Sequence, residues 1–282
     1  MEEKMKKDPQ NLDIRILYSD IDGTLLRNDH HISPKTREKI LELDKKGIPF
    51  ILVSARMPDG VRLIQRELGN KRPIICYSGG LILDEDQNVI YSRQMDLELA
   101  AGVWSDLERV CPEICVNIYG GELWVVKDDQ NPWVIREEGI TEGKSAVGEL
   151  RNMFAGAGGI HKFLLMGEPE DIARGEVFLK ANYPKLSVLR SNSYYLEVMD
   201  GSVDKAEGVR FLCDRYGIPI SRAAAFGDGE NDLGMLRAAG YGFAMGNASE
   251  KLKARVGHTT LSNEEDGILR VLERIEVPKK AY

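Results

Sequence analysis

The sequence predicts an α/β fold in which a parallel-sheet core domain is interrupted by an inserted α+β domain. From Ile14 to Tyr77, short apolar runs alternate with segments of helical periodicity. Near residue 84 that rhythm gives way to paired short strands, and past residue 190 it resumes. A chain of 282 residues agrees, being longer than one core usually needs and suited to one large or two smaller domains. The expected division is a core of 12–83 and 191–282, an insertion of 84–190, and a disordered N-terminal segment of 1–11.

The opening strand, Ile14 to Ser19, runs into Asp20-Ile-Asp22-Gly-Thr24. Ser33 and Pro34 then cap a helix whose Ile40, Leu41 and Leu43 share one side, and Gly47 stops it. Ile48 to Val53 reads as a buried strand ending at Ser54-Ala-Arg56, followed by a helix through Val61, Leu63, Ile64 and Leu68 that closes at Gly69. A third strand, Ile74 to Tyr77, ends at Ser78-Gly-Gly80. Strands separated by helices imply a parallel sheet, whose ligands sit beyond the carboxyl ends of the strands.

At the start of the insertion, Val89 to Tyr91 reads as a hairpin partner for Leu81 to Leu83 across a polar turn, and Asp96 to Val110 as a helix. Two strands, Ile114 to Tyr119 and Glu122 to Val126, meet through Gly120 and Gly121. Residues 127–160 are less regular, with Pro132, a helix expected within 144–154 and a flexible Gly156-Ala-Gly-Gly159. A strand at Lys162 to Met166, a helix from Pro169 to Asn182 and strands at Leu186 to Arg190 and Tyr194 to Met199 complete it. The core resumes with a helix over Val203 to Tyr216, a strand from Arg222 to Phe226 that enters Gly227-Asp-Gly-Glu-Asn-Asp232, and a short helix over 233–239. A strand at Tyr241 to Ala244, a helix over 249–256, a short strand near His258 and a helix over 264–275 follow.

Composition narrows the function. A net charge of -7 argues against the broad basic surface of a nucleic-acid binder, so an anionic substrate would need local cations. No apolar run reaches membrane-helix length, and the charged N-terminus has no hydrophobic segment behind it, so neither membrane insertion nor secretion is expected. The four cysteines form no Cys-x-x-Cys pair, which predicts reduced, buried thiols and a cytoplasmic protein. Trp104, Trp124 and Trp133 are expected in the core, and His30 and His31 in a loop.

Asp20 and Asp22 would repel each other if both were ionised and unpaired, so either a cation lies between them or one holds a proton. A parallel sheet would carry Asp20, Ser54 and Asp228 to one rim although they are far apart in sequence. Lys205, at a helix start, works against the helix dipole, which suggests another purpose for its charge.

These residues resemble the motif set of the haloacid dehalogenase superfamily. Asp20-Ile-Asp-Gly-Thr24 matches the first motif, Ser54 the second, Lys205 the third and Gly227-Asp-Gly-Glu-Asn-Asp232 the fourth. An insertion between the second and third motifs is similar to the Cof-like branch, subclass IIB, as are Leu196-Glu197-Val198 and Ala244-Met-Gly-Asn247-Ala248. The resemblance implies a Rossmann-like core with an α+β cap that sets specificity, and a phosphatase of small phosphorylated metabolites. It implies Mg2+ held by Asp20, the backbone carbonyl of Asp22, and Asp228. Asp20 would be the nucleophile, and Asp22 would protonate the leaving alcohol and later deprotonate water. Ser54, Lys205 and Asn231 would bind the phosphoryl group, with Asp232, Asn247 and Arg56 in supporting places. Helix capping is the alternative reading of Asn231 and Asp232. Ser54-Ala-Arg56 stands where the family often has Thr-Gly-Arg, and Ser78-Gly-Gly80 where it has Asn-Gly-Ala. A sugar phosphomutase, or a non-catalytic protein that signals or binds through a phosphorylated Asp20, are the competing functions.

Overall fold

The computed structural model describes residues 12–277, so the expected disordered segment 1–11 lies outside the described residues. The chain forms two compact units. Among the described residues the first comprises 12–53, Gln65–Arg72 and 205–277; the second comprises Ser54–Ile64 and Pro73–Asp204. The expected insertion, 84–190, lies wholly within the second.

The sheet of the first unit is parallel. Its strands run in the order His258–Thr259, Tyr241–Ala244, Ala223–Gly227, Ile16–Ser19 and Phe50–Val53. Ile16–Ser19 is central, with Ser19 level with Phe226 on one neighbour and Leu52 on the other. Every residue of Ile16–Ser19 and of its two neighbours, Phe50–Val53 and Ala223–Gly227, is buried, as expected of strands covered on both faces, which explains why they read as unbroken apolar runs. The helix Pro34–Lys45 carries proline in its first turn and buries Thr36, Ile40 and Leu43.

The second unit is mostly antiparallel. Ile74–Cys76, Leu81–Leu83 and Val89–Ser92 form a meander, with Ile82 opposite both Ile75 and Tyr91. A six-stranded sheet runs Leu186–Asn192, Tyr195–Asp200, Lys162–Met166, Cys115–Gly120, Leu123–Val126, Ala146–Val147. Alternation sorts its faces. Ile118, Phe163, Leu165, Leu196 and Val198 join Val103, Leu107, Ile172 and Leu179 from the helices Leu97–Val110 and Pro169–Asn182 in one apolar core. Truncating a fully buried member such as Phe163 to alanine costs about 3–5 kcal/mol.

The helix expected within 144–154 is present but short, at Leu150–Met153. A helix occupies Pro132–Thr141, capped by the Asn131 side chain accepting from Trp133 N–H, and it ends where Glu142 turns left-handed at φ 55°. Ala146–Val147 then pairs parallel to Leu123–Val126, leaving only Leu150–Met153 helical. Gly143 and Gly148 break the periodicity here, and a two-residue strand has too few residues to show a period of its own. Gly159, expected in a flexible run, pairs with Asp96, and a Cβ there would meet the Met95 carbonyl at 2.2 Å. Trp104 and Trp124 are buried as expected, whereas Trp133 is half-buried with Arg136 over its ring. All four cysteines are unpaired and buried.

Candidate active site

Two neighbouring parallel strands deliver the first two carboxylates. Asp20 follows Ile16–Ser19 and donates its backbone N–H to the Phe226 carbonyl at 3.0 Å; Asp228 follows the strand that contains Phe226. After Asp20 the chain makes a wide turn closed by Leu26 N–H on the Ile21 carbonyl at 2.9 Å. Gly23, at φ 73°, is required within it, because a Cβ would stand 2.4 Å from Asp228 Oδ2. Thr24 Oγ1 donates to Asp228 Oδ1 at 2.7 Å, so the far side of the turn holds the second carboxylate.

Lys205 is the first residue of the helix Lys205–Tyr216, and its side chain leaves the helix for the carboxylates. Its Nζ donates to Asp20 Oδ1 at 2.6 Å and to Asp232 Oδ1 at 2.5 Å, and the lysine side chain is 1% exposed. Burial works against the charged amine, but Asp20 and Asp232 outweigh it and hold Lys205 above its ordinary range. For Asp20 burial is the larger influence. It pushes the carboxyl well above the usual carboxylate range against the pull of Lys205, and Asp232 adds to the rise. Burial likewise raises Asp228, opposed by the Thr24 hydrogen bond.

Asp20, Asp228 and Asp232 each offer an oxygen within 4.8 Å of the others. Their free capacity differs. Asp232 spends Oδ1 on Lys205 and Oδ2 on the backbone N–H groups of Asp228 and Gly229, at 3.0 and 2.8 Å, so it braces the turn. A Cβ on Gly227 would meet Asp232 Cβ at 2.5 Å, which explains the glycine at that strand end. Among the described residues Asp20 Oδ2 has no hydrogen-bond partner, and Asp228 Oδ2 takes only a long 3.4 Å contact from Asn247 Nδ2. Hard oxygens on two buried acids and one half-buried acid, three carboxylates against one ammonium, suit a small divalent cation, which would also relieve the burial that raises Asp20 and Asp228.

The other expected residues are distributed as follows. Asp22 is exposed on the turn. Asn247 Nδ2 donates to the Gly23 carbonyl at 2.8 Å, and Asn263 N–H donates to Asn247 Oδ1 at 3.2 Å. Asn231 is exposed and makes no hydrogen bond to the acidic cluster among the described residues. Ser54 and Arg56 belong to the second unit; Ser54 is buried, and its Oγ accepts from Arg56 N–H at 3.1 Å. Thr24 was not among the expected site residues, although its place in Asp-Gly-Thr was the signal for it.

A family model described as haloacid dehalogenase-like hydrolase matches residues 17–272. A Haemophilus influenzae relative is 37% identical over 92% of this chain and 97% of its own. The Bacillus subtilis 5-amino-6-(5-phospho-D-ribitylamino)uracil phosphatase YitU is 26% identical over 92% of this chain and 96% of its own. A Thermotoga maritima crystal structure superposes with a TM-score of 0.84 at 28% identity, covering 94% of this chain and 98% of that one. With Asp20, Lys205, Asp228 and Asp232 gathered as described, the chain belongs to the haloacid dehalogenase-like hydrolase family and is a phosphatase of that family.

Proposed function

We propose that the protein is a magnesium-dependent phosphatase that hydrolyses a small phosphorylated metabolite, a sugar phosphate, nucleotide or cofactor phosphate, through an aspartyl-phosphate. The supporting observation is the buried Lys205 ammonium, 2.6 Å from Asp20 and 2.5 Å from Asp232, with Asp228 alongside. A phosphate monoester dianion repels an approaching carboxylate, so the nucleophile needs positive charge close by. Lys205 supplies part of it.

Asp20, the Asp22 carbonyl and Asp228 would hold magnesium, which when bound neutralises charge shared by the phosphoryl oxygens and Asp20. An Asp20 oxygen attacks phosphorus while the bond to the alcohol oxygen breaks, and Asp22 gives that oxygen its proton. Asp22 then takes a proton from the water that attacks the aspartyl-phosphate, releasing inorganic phosphate and restoring Asp20. The exposure of Asp22 suits a group that must reach both substrate and water. Lys205 stabilises the charge that accumulates on the transferring group. The phosphoryl-binding roles of Ser54 and Asn231 rest on the motif match. Substrate choice is assigned to the insertion, and the ribitylaminouracil phosphate named for the Bacillus relative falls in the proposed class.

The test is a panel of sugar phosphates, nucleotides and cofactor phosphates, assayed for free phosphate with magnesium and with chelator. Release that requires magnesium is expected for at least one member. A panel with no release would overturn the reading, and conversion of a sugar phosphate to its isomer without free phosphate would replace it with a mutase.

A further inference from the structure

The loop Ser54-Ala55-Arg56 is held by its carbonyls, one after another. Ser78 N–H donates to the Ser54 carbonyl at 2.8 Å, and Tyr77 N–H to the Arg56 carbonyl at 3.1 Å. The middle carbonyl, that of Ala55, receives Lys162 Nζ at 2.9 Å. Two of these donors are backbone groups from one neighbouring loop. The third is a charged side chain from a strand more than a hundred residues away.

Lys162 is an unusual residue to bury. Its side chain is 8% exposed, its one carboxylate partner among the described residues is Glu197 at 3.3 Å, and Nζ lies 5.4 Å from the centroid of the Tyr119 ring. A buried ammonium is costly unless paired and hydrogen-bonded, so this lysine is expected to be doing more than filling space. A methionine would fill the same volume without that cost.

The flanking loop is held in the same region. Tyr77 and Ser78 have positive φ, 48° and 53°, which costs of order 1–3 kcal/mol per residue and persists only where neighbours enforce it. Tyr77 stacks on the His161 ring at 4.9 Å and donates its hydroxyl to the Gly121 carbonyl at 2.9 Å. Consecutive residues, His161 and Lys162, therefore brace the two loops that hold each other: His161 through Tyr77, and Lys162 through Ala55.

We propose that Lys162 is a positioning residue for the Ser54 hydroxyl, fixing the Ser54-Ala55-Arg56 loop through the Ala55 carbonyl with Glu197 as its counter-ion. Lys162 touches no reacting atom. The proposal rests on the phosphatase reading for its catalytic consequence and on the loop geometry alone for its structural one, so the two are tested separately.

The first arm is amide hydrogen exchange of the full chain. In Lys162→Met, exchange at Arg56, Tyr77 and Ser78 is expected to accelerate about tenfold while Leu164, inside the sheet, stays protected. The double variant Lys162→Met/Glu197→Gln gives the same pattern without an unpaired buried carboxylate, should the single variant fold poorly. Unchanged exchange at the three amides, or equal acceleration at Leu164, overturns the proposal whether or not phosphatase activity is found. The second arm is a double-mutant cycle on a panel substrate. Lys162→Met is expected to lower kcat/KM about tenfold when Ser54 is present and less than about twofold in a Ser54→Ala background. Independent, multiplying losses would mean that Lys162 acts elsewhere and overturn the assignment. A wild-type protein that releases no phosphate sinks the functional reading and leaves the exchange result to decide the positioning role.

Discussion

Lys205 and Lys162 are both buried ammonium groups, and comparing them separates two kinds of site. In the first unit Lys205 sits between two carboxylates, at 2.6 and 2.5 Å, beside a third. In the second, Lys162 has one carboxylate at 3.3 Å and a neutral carbonyl at 2.9 Å. The first arrangement gathers more negative charge than its lysine cancels, which is what a cation and a phosphoryl group require. The second is near balance and directed at backbone, which suits holding a loop. One lysine works on charge, the other on position.

The largest expected effect removes the centre of the first arrangement. Asp20→Asn should lower phosphate release by on the order of a thousandfold or more, because the amide cannot form the acyl-phosphate. The fold should survive, since the substitution takes one charge from a buried acidic cluster where burial already disfavours ionisation. Turnover near the wild-type rate in a phosphate-release assay would remove Asp20 as nucleophile and erase the contrast between the two lysines.

Lys205→Met comes next. Loss of the charge-stabilising donor should cost on the order of a hundredfold or more in kcat. It also leaves Asp20 and Asp232 buried without their counter-ion, a loss of about 3–5 kcal/mol that chemical denaturation would measure. The combination is diagnostic. Lys162→Met, with fewer carboxylates left behind, should lose less stability than Lys205→Met, and the reverse order would contradict the charge count on which the comparison rests.

The two lysines were also unequally legible in the sequence. Lys205 could be found because its partners lie in Asp20-Ile-Asp-Gly-Thr24 and Gly227-Asp-Gly-Glu-Asn-Asp232, and because a lysine at a helix start is poorly placed for the dipole. The pairing of Asp20 with Asp228 followed from buried parallel strands whose apolar runs end in polar residues. Lys162 could not be found. It opens a strand like any other residue, and its partner is the carbonyl of an alanine, which has no sequence signature. Asp232 shows an intermediate case: helix capping and site support were both open from sequence, and in the structure it accepts two backbone N–H groups on one oxygen and Lys205 on the other. The helix Pro132–Thr141 was not legible in the less regular stretch 127–160, where Glu142, not glycine or proline, takes the left-handed turn that ends it. Such turns are decided by tertiary contacts rather than by local preference.

The last prediction concerns pH and separates the units by sign. His161 is 2% exposed, and burial pushes its imidazole down to about 4. Its Nδ1 accepts Gly121 N–H at 3.0 Å, which fixes the ring proton on Nε2, 3.1 Å from Ser92 Oγ. Protonating Nδ1 would set two N–H groups against each other. In the unfolded chain the same histidine binds its proton near 6.5, so between 6.5 and 4 the unfolded state holds more protons. Stability from His161 is therefore complete above pH 6.5 and lost as pH falls to about 4. The raised carboxyls Asp20 and Asp228 act in the opposite sense, gaining stability as pH falls toward their unfolded values. His161→Gln isolates the histidine, since glutamine can accept from Gly121 and donate to Ser92 without titrating. Between pH 7 and pH 4 the wild-type protein should lose about 3 kcal/mol more unfolding free energy than the variant. Equal pH dependence in urea titrations of the two proteins would show that the imidazole is not held neutral at the loop it braces.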